Sequence, residues 1–195
     1  MKRFFAVMCA VLLAHTALFA QEADEDDDDD YGGYVDERLN MAGDQYINIA
    51  LMVTFPLNFD GQLHIGGAGT LGYHRFLTDL IAVGADVSFG YHPTLGSNVY
   101  TYVPIVATAT VQPTYRSLEF PLTVGIGMAM EHYLDRTYFP GLALKANVGV
   151  FFRATPSWSF GISDDLLFLP QWYSDAKYND YGFFNSVQAC ARYHF

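Results

Sequence analysis

Large apolar residues alternate with small or polar ones through most of the chain beyond residue 45. The cleanest run covers 81–91. Ile81, Val83, Ala85, Val87, Phe89 and Tyr91 share one parity, and Ala82, Gly84, Asp86, Ser88 and Gly90 the other. A period of two places successive side chains on opposite faces of a strand. The same pattern predicts strands over 46–55, 64–73, 102–112, 122–130, 141–152 and 157–167, and a last one in the run 178–195 that ends on Phe195. Pro104 is expected near the start of its strand or at a bulge, because it has no N–H for the ladder. Asp164 and Asp165 interrupt the seventh run.

Two architectures share such a pattern. In a soluble sandwich or lipocalin-like barrel one face packs a core and the other meets water. The second face here is Gly, Ala, Ser, Thr and Asn; over 122–130 it carries no charge at all. That is a poor water face but suits the interior of a narrow barrel. The apolar face then looks at lipid. The predicted strands exceed the ~5–6 residues usual in globular sheets and match the ~9–11 of a tilted membrane strand. Their even number is what a bacterial barrel requires. Aromatics such as Tyr73, Tyr91, Tyr133, Trp172 and Tyr193 fall near strand ends, as interfacial girdles would. The fold class expected is therefore all-β: an eight-stranded antiparallel up-and-down transmembrane β-barrel over 46–195.

The N-terminus changes where that barrel should go. Lys2 and Arg3 precede an apolar stretch, 4–14, and Ala17 and Ala20 precede a polar change at Gln21. This outline predicts a secretory signal peptide over 1–20. Its removal leaves Cys190 as the one cysteine, so no intrachain disulfide is expected. The formal charge of −11 is concentrated in 22–30, EADEDDDDD. Self-repulsion there predicts an acidic disordered tether over 21–45. Such acidity argues against nucleic acid as a partner.

The chain resembles the small eight-stranded outer-membrane barrels of the OmpX, OmpW and OmpA-domain kind, most nearly the short OmpW-like proteins of spirochaetes. The resemblance rests on the signal peptide, the alternating strands and the ending VQACARYHF. It implies outer-membrane localisation with lipid as partner, periplasmic termini, and outer connections near 56–63, 92–101, 131–140 and 169–180. It further implies that the last strand, ending on Phe195, is read by the barrel-assembly machinery. Passage of small hydrophobic solutes is associated with OmpW-like families. The function expected is thus a narrow channel or facilitator for such solutes, with a structural or adhesin-like protein as the alternative.

By parity His64, Asp86, Lys145, Arg192 and His194 point into the lumen, and Glu119, Glu131 and Asp165 do so near the rims. Buried charges persist when paired, so Asp86 is expected to pair with Lys145 or Arg192. Histidines 64, 74, 92, 132 and 194 lack metal-ligand spacing. The glycines of HIGGAGTLG, 64–72, have no following lysine or helix and do not make a phosphate loop. No residue set singles out a nucleophile, so no catalytic residue, metal site or cofactor is expected.

Overall fold

The computed structural model describes residues 40–59, 61–96, 98–172, 177 and 179–195. The predicted signal peptide and the acidic run 22–30 lie outside the described residues. Ten strands form one antiparallel sheet: β1 (Gln45–Pro56), β2 (Gly66–Phe76), β3 (Ile81–Pro93), β4 (Val99–Val111), β5 (Thr114–Tyr115), β6 (Leu118–Glu119), β7 (Leu122–Tyr133), β8 (Arg136–Thr155), β9 (Trp158–Gln171) and β10 (Asp180–His194). The eight long strands each pair on both sides. They run in chain order from β1 to β10, and β10 pairs back onto β1 from Tyr46↔His194 to Pro56↔Phe184. The ring of pairings closes, so no long strand leaves an edge of unpaired backbone groups, as a bilayer requires.

Alternation is preserved around this ring. Ile126, Ile162 and Leu51 face outward, and Ala82, Ala129 and Ala143 are fully buried inward. Aromatics stand at both ends of the outward face. Near the chain terminus Tyr193 stacks on Phe195 and meets Trp158 at a tilt, and Phe168, Tyr181 and Phe183 cluster at the opposite end. Gly90 shows why one inward position is glycine. A Cβ there would lie 2.2 Å from the Tyr102 ring, which fills the lumen at that level.

Several boundaries differ from the sequence expectation. The stretch 131–140 is not a long connection. β7 and β8 run through it to a two-residue turn, Leu134-Asp135, with Leu134 in the left-handed region at φ 54. The strand continues because Glu131, His132 and Tyr133 pair with Tyr138, Thr137 and Arg136 past a bulge at Ala129/Glu131. β9 passes straight through Asp164 and Asp165, because each carboxylate finds a partner on its own face. Pro104 lies in the middle of β4. There the β3–β4 pairing lapses between Val87↔Ile105 and Gly90↔Tyr102, then resumes in the same register. β5 and β6 continue β4 and β7 past Pro113 and Pro121 in the same register, Thr114↔Glu119 following Val111↔Leu122. β6 pairs onto β8 at Leu118↔Phe152 and Glu119↔Phe151, as β7 does at Leu122↔Val148.

Candidate functional site

The lumen carries the buried polar chemistry, in three layers. At the end that holds Asn40 and Phe195, the carboxylate of Glu119 is the hub. It is fully buried, carried inward by the short strand β6. Arg153 Nε donates to its Oε1 at 2.6 Å, and Gln112 Nε2 to its Oε2 at 2.8 Å; Arg192 Nη1 lies 3.5 Å from Oε2. Arg153 also donates through Nη2 to Asn40 Oδ1 at 2.8 Å, which ties the entry segment across this end. The Arg192 guanidinium stacks 3.5 Å over the Phe151 ring and 4.8 Å over Tyr46.

The middle layer is an ion cluster. Lys145 Nζ donates to Asp86 Oδ2 at 2.8 Å and lies 3.5 Å from Asp165 Oδ1. His74 Nε2 is 3.0 Å from Asp86 Oδ1, and Asn147 Nδ2 donates to Asp165 Oδ1 at 3.3 Å. All four charged or titratable members are buried.

The third layer is aromatic. Phe184 packs against Tyr102 and His92, each with ring centroids 5.0 Å away, and against Tyr100 at 6.1 Å. Phe59, from the β1–β2 connection, sits 5.2 Å from Phe184 and closes the mouth above it. That connection is held on both sides: Leu57 N donates to Phe183 O, and His64 N to Pro93 O. Beside it the Tyr100 hydroxyl donates to Glu131 Oε2, to which Gln171 Nε2 also donates at 2.7 Å.

Whether the lumen is open or plugged does not follow from the sequence pattern; here the packing fills it. Two voids between the layers measure about 20 Å³ and about 10 Å³, each room for roughly one water. Eight strands enclose little space, and large side chains occupy it.

Of the predicted lumen residues, Asp86, Lys145, Arg192 and His194 are buried inside. Asp86 meets Lys145; Arg192 goes to Glu119 and Gln112 instead. His64 is a correction. β2 begins at Gly66, so His64 lies on the connection and is exposed; its carbonyl accepts from His92 Nδ1 at 2.9 Å. His74 and Arg153 were missed because the predicted strands stopped at 73 and 152. Carrying the same parity one residue further points both inward.

Ser159, His194 and Glu119 come together, with Ser159 Oγ 2.8 Å from His194 Nε2 and 3.0 Å from Glu119 Oε1. The serine stands between base and acid and is fully buried. In a nucleophilic relay the base stands between, with the acid orienting it. Among the described residues no group of three or more His, Cys, Asp or Glu is placed to hold a metal ion. Cys190 is buried, 3.3 Å from Ser163 Oγ.

A protein-family model matches residues 25–193. Two proteins of Treponema pallidum (strain Nichols), both named only as uncharacterized, are 40% identical over 64% of this chain and 34% identical over 49% of it. The matches span 56% and 35% of those relatives' own lengths. Among solved structures, Neisserial surface protein A is similar with a TM-score of 0.64 at 12% identity, covering 78% of this chain and 99% of that one. Outer membrane protein OprG from Pseudomonas aeruginosa is similar with a TM-score of 0.54 at 10% identity, covering 82% and 99%. The fold is that of small outer-membrane barrels. A closed antiparallel ring with an apolar outer belt and aromatic ends belongs in the outer membrane, embedded in its lipid.

Proposed function

The chain belongs to the family whose model spans residues 25–193, and on that premise we propose that it is an occluded outer-membrane barrel acting through its surface, not an axial conduit. The filled lumen carries this reading. A solute crossing along the axis would have to part the Phe184 layer, the Lys145 cluster and the Glu119 hub, each buried and mutually bonded. The rim opposite the termini supports a surface role. Leu134, Phe139 and Trp172 are each more than half exposed there, and Tyr138 fastens the β7–β8 hairpin to Trp172 by accepting from its N–H at 2.9 Å. The similar Neisserial barrel is, by its name, a surface protein.

Planar-bilayer recording and a liposome-swelling series test the proposal. Neither steps in current nor uptake of small polar or hydrophobic solutes is expected. Steady conductance or uptake by the unmodified chain would restore the channel reading. For the surface role, Leu134→Ser, Phe139→Ser and Trp172→Ser together should lower adhesion of cells displaying the barrel while folding is retained.

The same reading includes processing after residue 20, an acidic tether over 21–45 on the periplasmic side, and recognition of the β10 end at Phe195 by the assembly machinery. The exposed Phe195 ring, stacked on Tyr193, supports the last point. Phe195→Ala is expected to slow assembly in cells and to leave refolding in micelles unchanged. A finer placement among OmpW-like spirochaetal barrels is part of the same proposal; the two Treponema relatives bear on its lineage alone.

A further inference from the structure

The outward face breaks its own rule at one place. On β9 the lipid-facing parity reads Trp158, Phe160, Ile162, Asp164, Leu166 and Phe168. On β10 it reads Phe183, Asn185, Val187, Ala189 and Ala191. Asp164 thus stands midway between the aromatic ends, on a surface of hydrocarbon side chains. Among the described residues it is the one charged group within this belt, and Asn185 the one amide. Other outward charges, such as Arg75, Arg136 and Asp180, sit at strand ends.

The two polar residues meet. Asn185 Nδ2 donates to both Asp164 oxygens at 2.9 Å. Among the described residues no other donor reaches the carboxylate, and none reaches Asn185 Oδ1. An ionised carboxylate offers about four acceptor sites and an amide two donors, so a single amide leaves capacity unused. Acyl chains supply neither donors nor acceptors. Ionisable groups in a membrane generally face a partner instead of lipid.

We propose that this face of β9 and β10 is an interface with a second copy of the chain. The pair is self-complementary: each barrel presents a carboxylate acceptor beside an amide donor. A two-fold axis along the membrane normal, passing between the two residues, sets Asn185 of each barrel against Asp164 of the other. That is the isologous arrangement of a symmetric dimer. The neighbours permit close approach. Val187 is in register with Asp164, and Ala189 and Ala191 continue the same face with small side chains.

Cross-linking of the full chain in phospholipid vesicles tests this, in a Cys9→Ser background so that the introduced thiol is the accessible one; Cys190 is buried. Oxidation of Val187→Cys is expected to give a disulfide-linked dimer. Val124→Cys, outward on β7 away from the β9–β10 face, is expected to give none. Adding Asp164→Leu and Asn185→Leu should abolish the 187 dimer. Retention of the folded gel mobility before heating shows that the barrel itself survives, since leucine suits a lipid face. Equal dimer at 187 and 124, or a 187 dimer that survives the leucine pair, overturns the proposal. Sedimentation of the unmodified chain in micelles gives an independent reading: a two-barrel mass is expected, and a one-barrel mass at every concentration overturns it.

Discussion

Lys145 Nζ sits 2.8 Å from Asp86 Oδ2, on strands that do not pair with each other, so this bond spans the lumen. It is the one ammonium between two buried aspartates, Asp86 and Asp165. Removing one member of a buried ion set leaves its partners charged and uncompensated, at a cost of about 3–5 kcal/mol. Lys145→Met is therefore expected to lower unfolding free energy by roughly that much in a urea titration in vesicles. Adding Asp86→Asn should recover part of the loss, because one orphaned charge is then gone. A single variant as stable as the parent would mean that the cluster contributes nothing.

Glu119 anchors the stretch that continues the ring wall beyond Pro121, where β6 keeps the β7–β8 register. Its strand, β6, is two residues long, yet the carboxylate reaches Arg153, Ser159 and Gln112. Glu119→Gln leaves two guanidinium groups facing a neutral amide. A loss of about 3–5 kcal/mol is expected, together with faster proteolysis of the 112–121 connection. Arg153→Met should cost less, since Arg192 still faces the carboxylate. The two variants compared by urea unfolding and limited proteolysis check the order.

The aromatic layer and the ion layer occlude the lumen independently. Phe184→Ala removes the ring packed against Tyr102, His92, Tyr100 and Phe59. About 3–5 kcal/mol of destabilisation is expected from the lost burial and the cavity. Conductance should stay absent, because the Lys145 cluster remains below. Combining Phe184→Ala with Lys145→Ala should still give no current in planar bilayers, because the Glu119 layer stays in place; current is expected only when Glu119→Ala is added.

The outward face was legible in the sequence because lipid imposes one rule on every strand. Ile81 to Tyr91 or Leu122 to Met130 could be assigned by parity alone. The lumen was legible only in part, since parity gives a direction and not a height along the axis. Asp86 and Arg192 both point inward, yet Arg192 lies in another layer and meets Glu119. The place of Phe59 in the mouth depends on how the 57–65 connection is tied to Phe183 and Pro93, which no pattern along the chain gives. Asp164 was visible as an interruption. Its meaning needed β9 to be continuous, which depends on Asn185 in the next strand.

Close strand packing yields the last prediction. At Gly127 an added Cβ would lie 1.9 Å from the Ile105 carbonyl oxygen and 2.7 Å from Val106 Cα. Those are backbone atoms of β4, paired to β7 on that side, so neither can turn aside. Gly127→Ala should force the β4–β7 pair apart locally, at a cost of about 1–3 kcal/mol, the range for overpacking. Gly69 is the control. Its added Cβ would make only ordinary contacts, 3.6 Å to Ala50 O and 3.7 Å to a Leu51 methyl. Gly69→Ala should leave unfolding midpoints unchanged or slightly raised, since alanine loses less backbone freedom on folding. Equal losses at both positions would show that the separation between β4 and β7 is not what requires glycine at 127.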